Sequence, residues 1–295
     1  MSKKSNTDLE SMSEVLERMP KPKKKKVYAP IDINLPALPF YQIERKKSDK
    51  PEVYKSEDGT IKLGFISGKP TIGMQKVITY LLSKAPRKKE GKIDTVKLRE
   101  EGVEFTLAEI CRYLGIRTET RNRRTIQRDL EKLGDITLHL HKRYIVVNGK
   151  NKACRKTIES VGLFKIDLYD HFRNDSSENE QLAMFHSKIM FHPLLLDNLE
   201  NGLYRLVGVD EVKQIKSPVA VRIHGILSMH NQSKEWRIGI KRLAEIIPIS
   251  TYSKRKTKQV IKQACKELIA LNFIAEIRIY TNGDGDEIVT FVFHG

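Results

Sequence analysis

The sequence predicts an α+β protein with two tandem winged helix-turn-helix domains behind a basic, largely irregular N-terminal arm. Two observations carry this prediction. Lysine-rich residues 253–272 have the periodicity of a helix and lead into a predicted terminal β-hairpin, and a similar succession of elements occurs earlier in the chain. We expect the arm over residues 1–69, the first domain over 70–200 and the second over 201–295.

The lysine-rich segment predicts a DNA recognition helix. At helical spacing its apolar residues gather on one side, and its basic residues gather on the other side and at the amino-terminal end. Lysines four residues apart repel one another mildly, so this face is stabilised when an anion covers it. A helix about 10–12 Å wide suits a major groove roughly 12 Å wide. The candidate DNA-binding residues are Lys254, Arg255, Lys256, Lys258, Gln259 and Lys262.

Two β-rich segments, residues 272–280 and 288–293, follow this helix and flank turn-forming residues 281–286. A helix followed by a hairpin is typical of the recognition helix and wing of a winged helix-turn-helix. The alternative is an ordinary solvated basic helix, which the hairpin makes less favourable. We interpret Asp284, Asp286 and Glu287 as turn formers rather than as metal ligands.

A second basic helix is predicted over residues 121–133, with its apolar positions on one side. The helix before it begins with a capping box at Thr106 and Glu109 and ends at Gly115. Reading bases requires planar or forked donors, whereas lysines mainly position a protein on phosphates. The candidate DNA-binding residues of this half are Arg121, Arg123, Arg124, Gln127, Arg128, Lys152 and Arg155.

Strand patterns follow this second basic helix. Residues 136–147 and 161–168 alternate like strands, Asn148-Gly149 is a hairpin turn, and residues 150–156 form a long basic wing. Each half therefore predicts helix, short strand and helix, basic helix and hairpin. Repetition of architecture is more informative than either half alone.

The charge balance predicts a polyanionic partner. Lys and Arg number 54 against 37 Asp and Glu, the formal charge is +17 and the pI is near 9.6. Nucleic acid is the first expectation, and a membrane surface is the weaker one.

No run of about 18 apolar residues could span a bilayer and no apolar signal segment follows the N-terminus, so we expect a cytoplasmic, nucleoid- or plasmid-associated bacterial protein. Three separated cysteines, Cys111, Cys154 and Cys265, indicate reduced thiols and exclude a cysteine-framed zinc site; no cofactor is expected.

The arm contains two distinctive segments. Residues 20–27 are a run of lysine and proline that could act as a nuclear-import signal, a phosphate-gripping arm or a solubilising linker. Residues 31–40 are apolar and interrupted by proline. They could be an extended peptide that a partner's groove takes up, or they could pack on the first domain.

From about Pro70 to the C-terminus the chain resembles the tandem winged-helix replication initiators of bacterial plasmids, the RepE, RepA and TrfA type. The resemblance is clearest where the segment from Phe191 to Leu206 leads to the Ser-capped helix over residues 217–227. It implies binding of direct repeats (iterons) in double-stranded origin DNA, local opening of the duplex, recruitment of the host initiator and replicative helicase, and exchange between homodimers and monomers. It also implies that the second domain reads most bases while the first contributes backbone contacts and the dimer surface. The arm and the long wing depart from the family pattern.

A short peptide in the first half resembles the Gln-Leu-x-Leu-Phe motif by which bacterial proteins dock on the sliding clamp. The apolar residues of this peptide could equally belong to a strand. The candidate partner-binding residues are Gln181, Leu182, Met184 and Phe185.

His139 and His141 alternate on a predicted strand, the arrangement by which rolling-circle nickases hold a divalent metal beside a tyrosine nucleophile. Tyr144, Tyr169 and Tyr204 are available, but none lies in a convincing helix with a lysine four residues on. Alternating histidines on a solvent face of a wing are the competing interpretation. No glycine loop for phosphate binding is present, so ATP hydrolysis has no support in the sequence. We expect a DNA-binding protein that is not an enzyme. A winged-helix transcriptional regulator is the other alternative to an initiator.

Overall fold

The computed structural model describes residues 26–32, 36, 40–43, 50–55, 61–140, 145–148, 151–154, 159–168, 186–249 and 252–294. Over these residues it shows a mixed α/β fold with nine helices and five small antiparallel sheets. No helix in the described part of the chain is long and apolar enough to cross a membrane.

The elements of the first half begin with three strands: β1 (Tyr28–Asp32), β2 (Glu52–Lys55) and β3 (Ile61–Phe65). The helical segment that follows contains α1 (Gly73–Ser83), α2 (Thr95–Glu101), β4 (Val103–Phe105), α3 (Leu107–Leu114) and α4 (Thr120–Gly134). Six strands complete this half: β5 (Ile136–Leu140), β6 (Ile145–Asn148), β7 (Asn151–Cys154), β8 (Glu159–Gly162), β9 (Phe164–Asp167) and β10 (Ser187–Phe191).

The second half is richer in helix. It opens with α5 (Pro193–Glu200), β11 (Tyr204–Gly208), α6 (Val209–Gln214) and α7 (Pro218–Ser228). It closes with β12 (Glu235–Gly239), α8 (Ile240–Ile246), α9 (Lys254–Ala270), β13 (Glu276–Thr281) and β14 (Glu287–Val292).

Both halves contain a three-stranded antiparallel sheet with the same strand order. In the first, β10 lies between β4 and β9; in the second, β14 lies between β12 and β13. The first strand of each sheet precedes a pair of helices, α3 and α4 or α8 and α9, and the other two strands follow that pair. The order of elements therefore repeats along the chain.

The expectation of an irregular arm over residues 1–69 is wrong for the part that is described. β1 pairs with β11, and β2 and β3 form a hairpin that extends to β5. Ala29, Leu63 and Phe65 are almost fully buried, so these strands belong to the core. Pro30 lies within β1 and breaks the sequence signal of a strand, although proline is tolerated at sheet edges.

The apolar segment at residues 31–40 contacts the rest of the fold where it is described. Ile31 lies in β1 and packs against the core, and Phe40 is buried within it. This agrees with packing on the fold rather than with a free peptide for a partner's groove.

Two strands of the first half differ from the prediction. The segment 136–147 contains two strands, β5 and β6, which join different sheets; the segment 161–168 contains β8 and β9, separated at Leu163. β8 pairs with β5 whereas β9 pairs with β10, so the chain changes sheets at this residue, whose side chain is buried. β6 and β7 pair with Asn148 opposite Asn151, so the chain reverses direction between these two residues. Asn148, predicted as a turn residue, is the last residue of β6, and Gly149 lies outside the described residues.

The two halves meet where α1 packs against α6 and α7. Gln75 of α1 donates a hydrogen bond from Nε2 to the carbonyl of Val221, 3.1 Å away. Gly225 permits this approach, because a Cβ at that position would lie 2.4 Å from Gln75 Nε2. On the same helix Arg222 is buried and donates to the carbonyl of Ile246 at 3.4 Å, and burial lowers its pKa to about 10.

Candidate nucleic-acid interface

α9 is an amphipathic helix of 17 residues. Ser253 caps its first turn by accepting a hydrogen bond from the Lys256 amide at 3.4 Å, which satisfies one of the free N–H groups at the helix start. One face is buried, and the chain leaves the helix at Asn272, whose φ is +55°. The buried side chains are those of Thr257, Ile261, Ala264, Cys265 and Leu268.

Five of the six predicted contact residues on α9 are exposed: Lys254, Arg255, Lys256, Gln259 and Lys262. Lys256 also places its ammonium 4.1 Å from the centre of the Tyr252 ring, a cation–π contact. Lys258 differs, because it is half-buried and forms an ion pair with Glu287 of β14. The wing strand therefore neutralises one of the predicted phosphate-binding charges.

The outer surface of α9 extends further than the prediction. Gln263 and Lys266 are exposed and continue the polar row toward the carboxyl end of the helix. Gln263 stands one helical turn after Gln259, so its spacing is the signal that could have placed it in the set. One shallow depression is lined by Arg255, Lys258, Gln259, Lys262, Gln263 and Lys266.

α8 packs against α9, and the two helices form the helix pair of the second half. Ile240, Leu243 and Ala244 are buried, while Lys241 and Arg242 are exposed. The carbonyl of Ile246 at the end of α8 accepts the hydrogen bonds of buried Arg222, so α7 fixes the position of the turn that leads to α9.

The hairpin after α9 has the turn chemistry that was predicted. The Asn282 Oδ1 atom accepts hydrogen bonds from the amides of Asp284 at 3.1 Å and Asp286 at 2.7 Å. Gly285 adopts φ +82°, a conformation that favours glycine. Both aspartates are exposed turn residues, as expected, whereas Glu287 is the first residue of β14 and not part of the turn.

The outer face of the wing sheet carries paired charges that sequence reasoning did not single out. Arg237 and Arg278 lie opposite Thr290 from the two sides of β14. Arg237 pairs with Glu235, and Arg278 pairs with Glu276, whose hydrogen bond raises the pKa of Arg278. These pairs cancel the positive charge of the sheet, which leaves α9 as the strongly basic part of this half.

α4 is the matching basic helix of the first half. Ile126, Leu130 and Leu133 are buried as expected, and Asp129 on the same side accepts a hydrogen bond from Thr71 at 2.6 Å. Among the predicted contact residues, three are exposed and two are half-buried. The exposed residues are Arg121, Arg124 and Arg128, and the half-buried ones are Arg123 and Gln127.

Two of the predicted residues on α4 engage the helix itself. Gln127 donates to the Glu131 carboxylate at 3.1 Å, and Arg128 donates to the carbonyl of Arg124 at 3.4 Å. Glu119 stands at the N-cap without a side-chain cap. α4 is therefore less strongly basic than α9, because Asp129 and Glu131 lie within it and Lys132 is buried.

Several predicted residues fall outside what the structure describes. Lys152 lies in β7 and His139 in β5, and only the backbone of these two residues is described. Tyr204 lies in β11 and not in a helix. Within the described ranges no group of three or more His, Cys, Asp or Glu side chains could hold a metal ion. The predicted residues outside the described ranges are Arg155, Gln181, Leu182, Met184, Phe185, His141, Tyr144 and Tyr169.

No protein-family model and no curated protein matches the chain. Among solved structures, domains 2 and 3 of RctB, a replication initiator, match with a TM-score of 0.54 at 9% identity, covering 88% of this chain and 98% of that chain. A second structure of the same RctB domains matches with a TM-score of 0.49 at 7% identity, covering 89% and 97%. The fold is similar to that of RctB domains 2 and 3. At this identity the likeness shows the fold alone, and it does not single out the RepE, RepA and TrfA type.

Proposed function

We propose that this protein is a sequence-specific double-stranded DNA-binding replication initiator with two tandem winged-helix domains. The observation that supports this most directly is the structure of α9. Its apolar side is buried in the fold, and its basic side faces solvent. In the chain α9 follows α8 and precedes the hairpin of β13 and β14. The similarity of the fold to RctB domains 2 and 3 supports the initiator role over other DNA-binding roles.

In this proposal α9 reads bases in the major groove. Arg255 and Gln259 provide forked or planar donors that can bind a base edge through two hydrogen bonds, and both are exposed one turn apart. Lys254 and Lys262 bind phosphates and position the helix without specifying sequence. Lys258, held by Glu287, contributes less than its position on the helix implies.

α4 makes the second contact. Arg121, Arg124 and Arg128 are exposed on it, and two such helices in one chain can occupy successive major grooves about one helical turn apart. The repeat of strand order around both helix pairs supports two copies of one DNA-binding unit. The initiator would thus bind direct repeats, the iterons of a plasmid origin, with both halves of the chain.

The remaining parts of the proposal follow from the initiator role. The protein would open the duplex locally, recruit the host initiator and replicative helicase, bind the sliding clamp through residues 181–185, and exchange between homodimers and monomers. It would act in the cytoplasm on plasmid DNA without catalysing a reaction and without a cofactor.

A nuclease footprint on the DNA that flanks the encoding gene, with and without Mg²⁺, tests this proposal. We expect protection of several evenly spaced direct repeats and no cleavage. Protection of one palindrome at a promoter would contradict the initiator and favour a transcriptional regulator. A Mg²⁺-dependent nick that leaves protein on the 5′ end would assign a nickase role to His139 and His141.

A further inference from the structure

The segment between α1 and α2 is an ordered turn that displays lysines. The Lys88 amide donates to the carbonyl of Lys92 at 2.8 Å, and the Gly91 amide donates back to the carbonyl of Lys88 at 2.9 Å. Gly91 adopts φ +82°, and the Asp94 amide closes the base of the turn on Pro86 at 2.8 Å. These bonds hold the backbone in one shape, so binding of a ligand here would require little ordering of the chain.

Arg87 fixes this turn to the N-terminal strand. Its guanidinium donates to the carbonyl of Gly91 at 3.0 Å and to the carbonyl of Tyr28 at 2.9 Å. Tyr28 is the first residue of β1, so the turn lies next to the point where the chain enters the fold. Lys26 stands two residues before Tyr28, and residues 21–25 of the sequence hold four more lysines.

Four lysines at this place, Lys26, Lys88, Lys89 and Lys92, form what we call the basic corner. All four are exposed, and none of them has an ion pair with another described residue. Glu90 is the one carboxylate among residues 87–92. A group of unpaired ammonium groups is suited to a phosphate chain, which lysines bind as point charges.

The Lys26 end of the basic corner lies next to α3, the first helix of the pair in the first half. Val27, the residue after Lys26, lines one depression together with Arg112 and Tyr113 of α3. In helix-turn-helix proteins the helix before the recognition helix crosses the DNA backbone. A duplex held on α4 therefore has its phosphates near α3 and within reach of long side chains next to it.

We propose that the basic corner is a third DNA contact, which grips the phosphate backbone of the duplex without reading bases. This inference rests on the proposed DNA-binding function and adds a contact outside both recognition helices. Lysine ammonium groups carry no base code, so the basic corner contributes affinity and salt dependence equally on every sequence.

The test compares the full-length protein with the triple variant Lys88→Ala, Lys89→Ala, Lys92→Ala. Affinity for a random-sequence duplex is measured by fluorescence anisotropy over a series of KCl concentrations. Each phosphate that the variant no longer neutralises should reduce the log–log salt slope by about 0.9, so we expect a slope smaller by up to about 3. The ratio of specific to random-sequence affinity should stay at the wild-type value.

A matched triple variant controls for total charge. Lys50, Lys55 and Lys165 are exposed lysines on or beside other strands, and their change to alanine removes the same charge. We expect this variant to keep a slope close to wild type. A wild-type salt slope in the Lys88 triple variant, or an equal decrease in both variants, would show that the basic corner is not a DNA contact. A wild-type slope is also the result expected if the basic corner binds an acidic protein instead of DNA. Absence of duplex binding by the wild type would instead refute the proposed function itself.

Discussion

Lys76 of α1 and Glu267 of α9 both hold the segment that joins α6 to α7. The Lys76 ammonium donates to the carbonyls of Lys213, at 3.2 Å, and of Ile215. The Glu267 carboxylate accepts from the amides of Lys216 at 2.5 Å and Ser217 at 3.0 Å. Burial lowers the pKa of Lys76 and the charge of Glu267 opposes that shift, so the two side chains also interact electrostatically. Through this segment α9 of the second half is tied to α1 of the first.

This link predicts the effect of Glu267→Gln. Glutamine offers one neutral acceptor oxygen in place of two charged ones, so one amide loses its acceptor and the other keeps only a neutral one. The free energy of unfolding should therefore fall by about 1–2 kcal/mol. DNA carrying sites for both halves should bind more weakly, whereas DNA carrying only the α9 site should bind as before. Thermal unfolding and anisotropy on the two duplexes measure these effects.

Glu245→Gln is the control for this variant. Glu245 pairs with Arg242 at the surface, where an ion pair contributes little, so its Tm should match the wild type. Equal weakening on both duplexes by Glu267→Gln would contradict a role in the relative placement of the halves.

The substitution Arg255→Ala should reduce sequence-specific DNA binding. If Arg255 binds a guanine through two hydrogen bonds, its removal should cost about 1–3 kcal/mol on the specific site and little on random DNA. Lys262→Ala is the comparison, because removal of a phosphate-binding charge weakens binding equally on both duplexes. Competition binding with the footprinted site and a scrambled duplex separates the two. A uniform loss of affinity for Arg255→Ala would mean that this side chain contacts only phosphate.

The substitution Glu287→Gln should strengthen binding to duplex DNA. Glu287 neutralises Lys258 in the wild type, so its removal frees a positive charge on the DNA-facing helix. Affinity for random duplex should increase, and the log–log salt slope should steepen by about 0.9 if one more phosphate is bound. Glu276→Gln removes a carboxylate that pairs with Arg278 instead. An equal gain in that control would indicate a general charge effect rather than release of Lys258.

Buried His224 should make the stability of the fold fall at acidic pH. Burial lowers its pKa to about 3, whereas its unfolded value is about 6.5, so the unfolded chain takes up a proton that the folded chain does not. Below pH 6.5 this group therefore destabilises the fold, by about 1.4 kcal/mol per pH unit until pH approaches 3. Its contribution is absent above pH 6.5, where the histidine is neutral in both states.

Denaturant unfolding of the wild type and of His224→Phe between pH 7 and pH 4 measures this contribution. The imidazole ring already packs on Phe273 with 4.0 Å between ring centroids, so an aromatic replacement preserves much of the contact. The difference in unfolding free energy between the two proteins should change in favour of the variant as the pH falls. A difference that stays constant with pH would show that His224 does not titrate as expected.

Much of the fold could be predicted because local patterns determine local elements. The predicted capping box at Thr106 and Glu109 and the predicted Ser217 cap both form, and the apolar rows of α4 and α9 are buried. Strand partners could not be predicted in the same way. Pairing of β1 with β11 joins residues 28–32 to residues 204–208, and no local pattern carries information about so distant a partner.

The candidate interface also has a part that local sequence predicts and a part that depends on tertiary packing. Residue types and helical spacing indicated which side chains of α9 face solvent, because an amphipathic period has one buried side. The pairing of Lys258 with Glu287 was not visible in the sequence, since it depends on how β14 packs beside the helix. The same holds for the paired arginines of the wing sheet.

The sequence alone determined that the fold mixes helices and strands, that the order of elements repeats, and which sides of α4 and α9 are basic. These properties follow from charge, periodicity and capping, which act over a few residues. Only the tertiary structure decided that part of the arm belongs to the core, that Lys258 is neutralised, and that Lys76 and Glu267 tie the halves together. Each of these depends on contacts between residues far apart in the chain, which packing of the whole molecule creates.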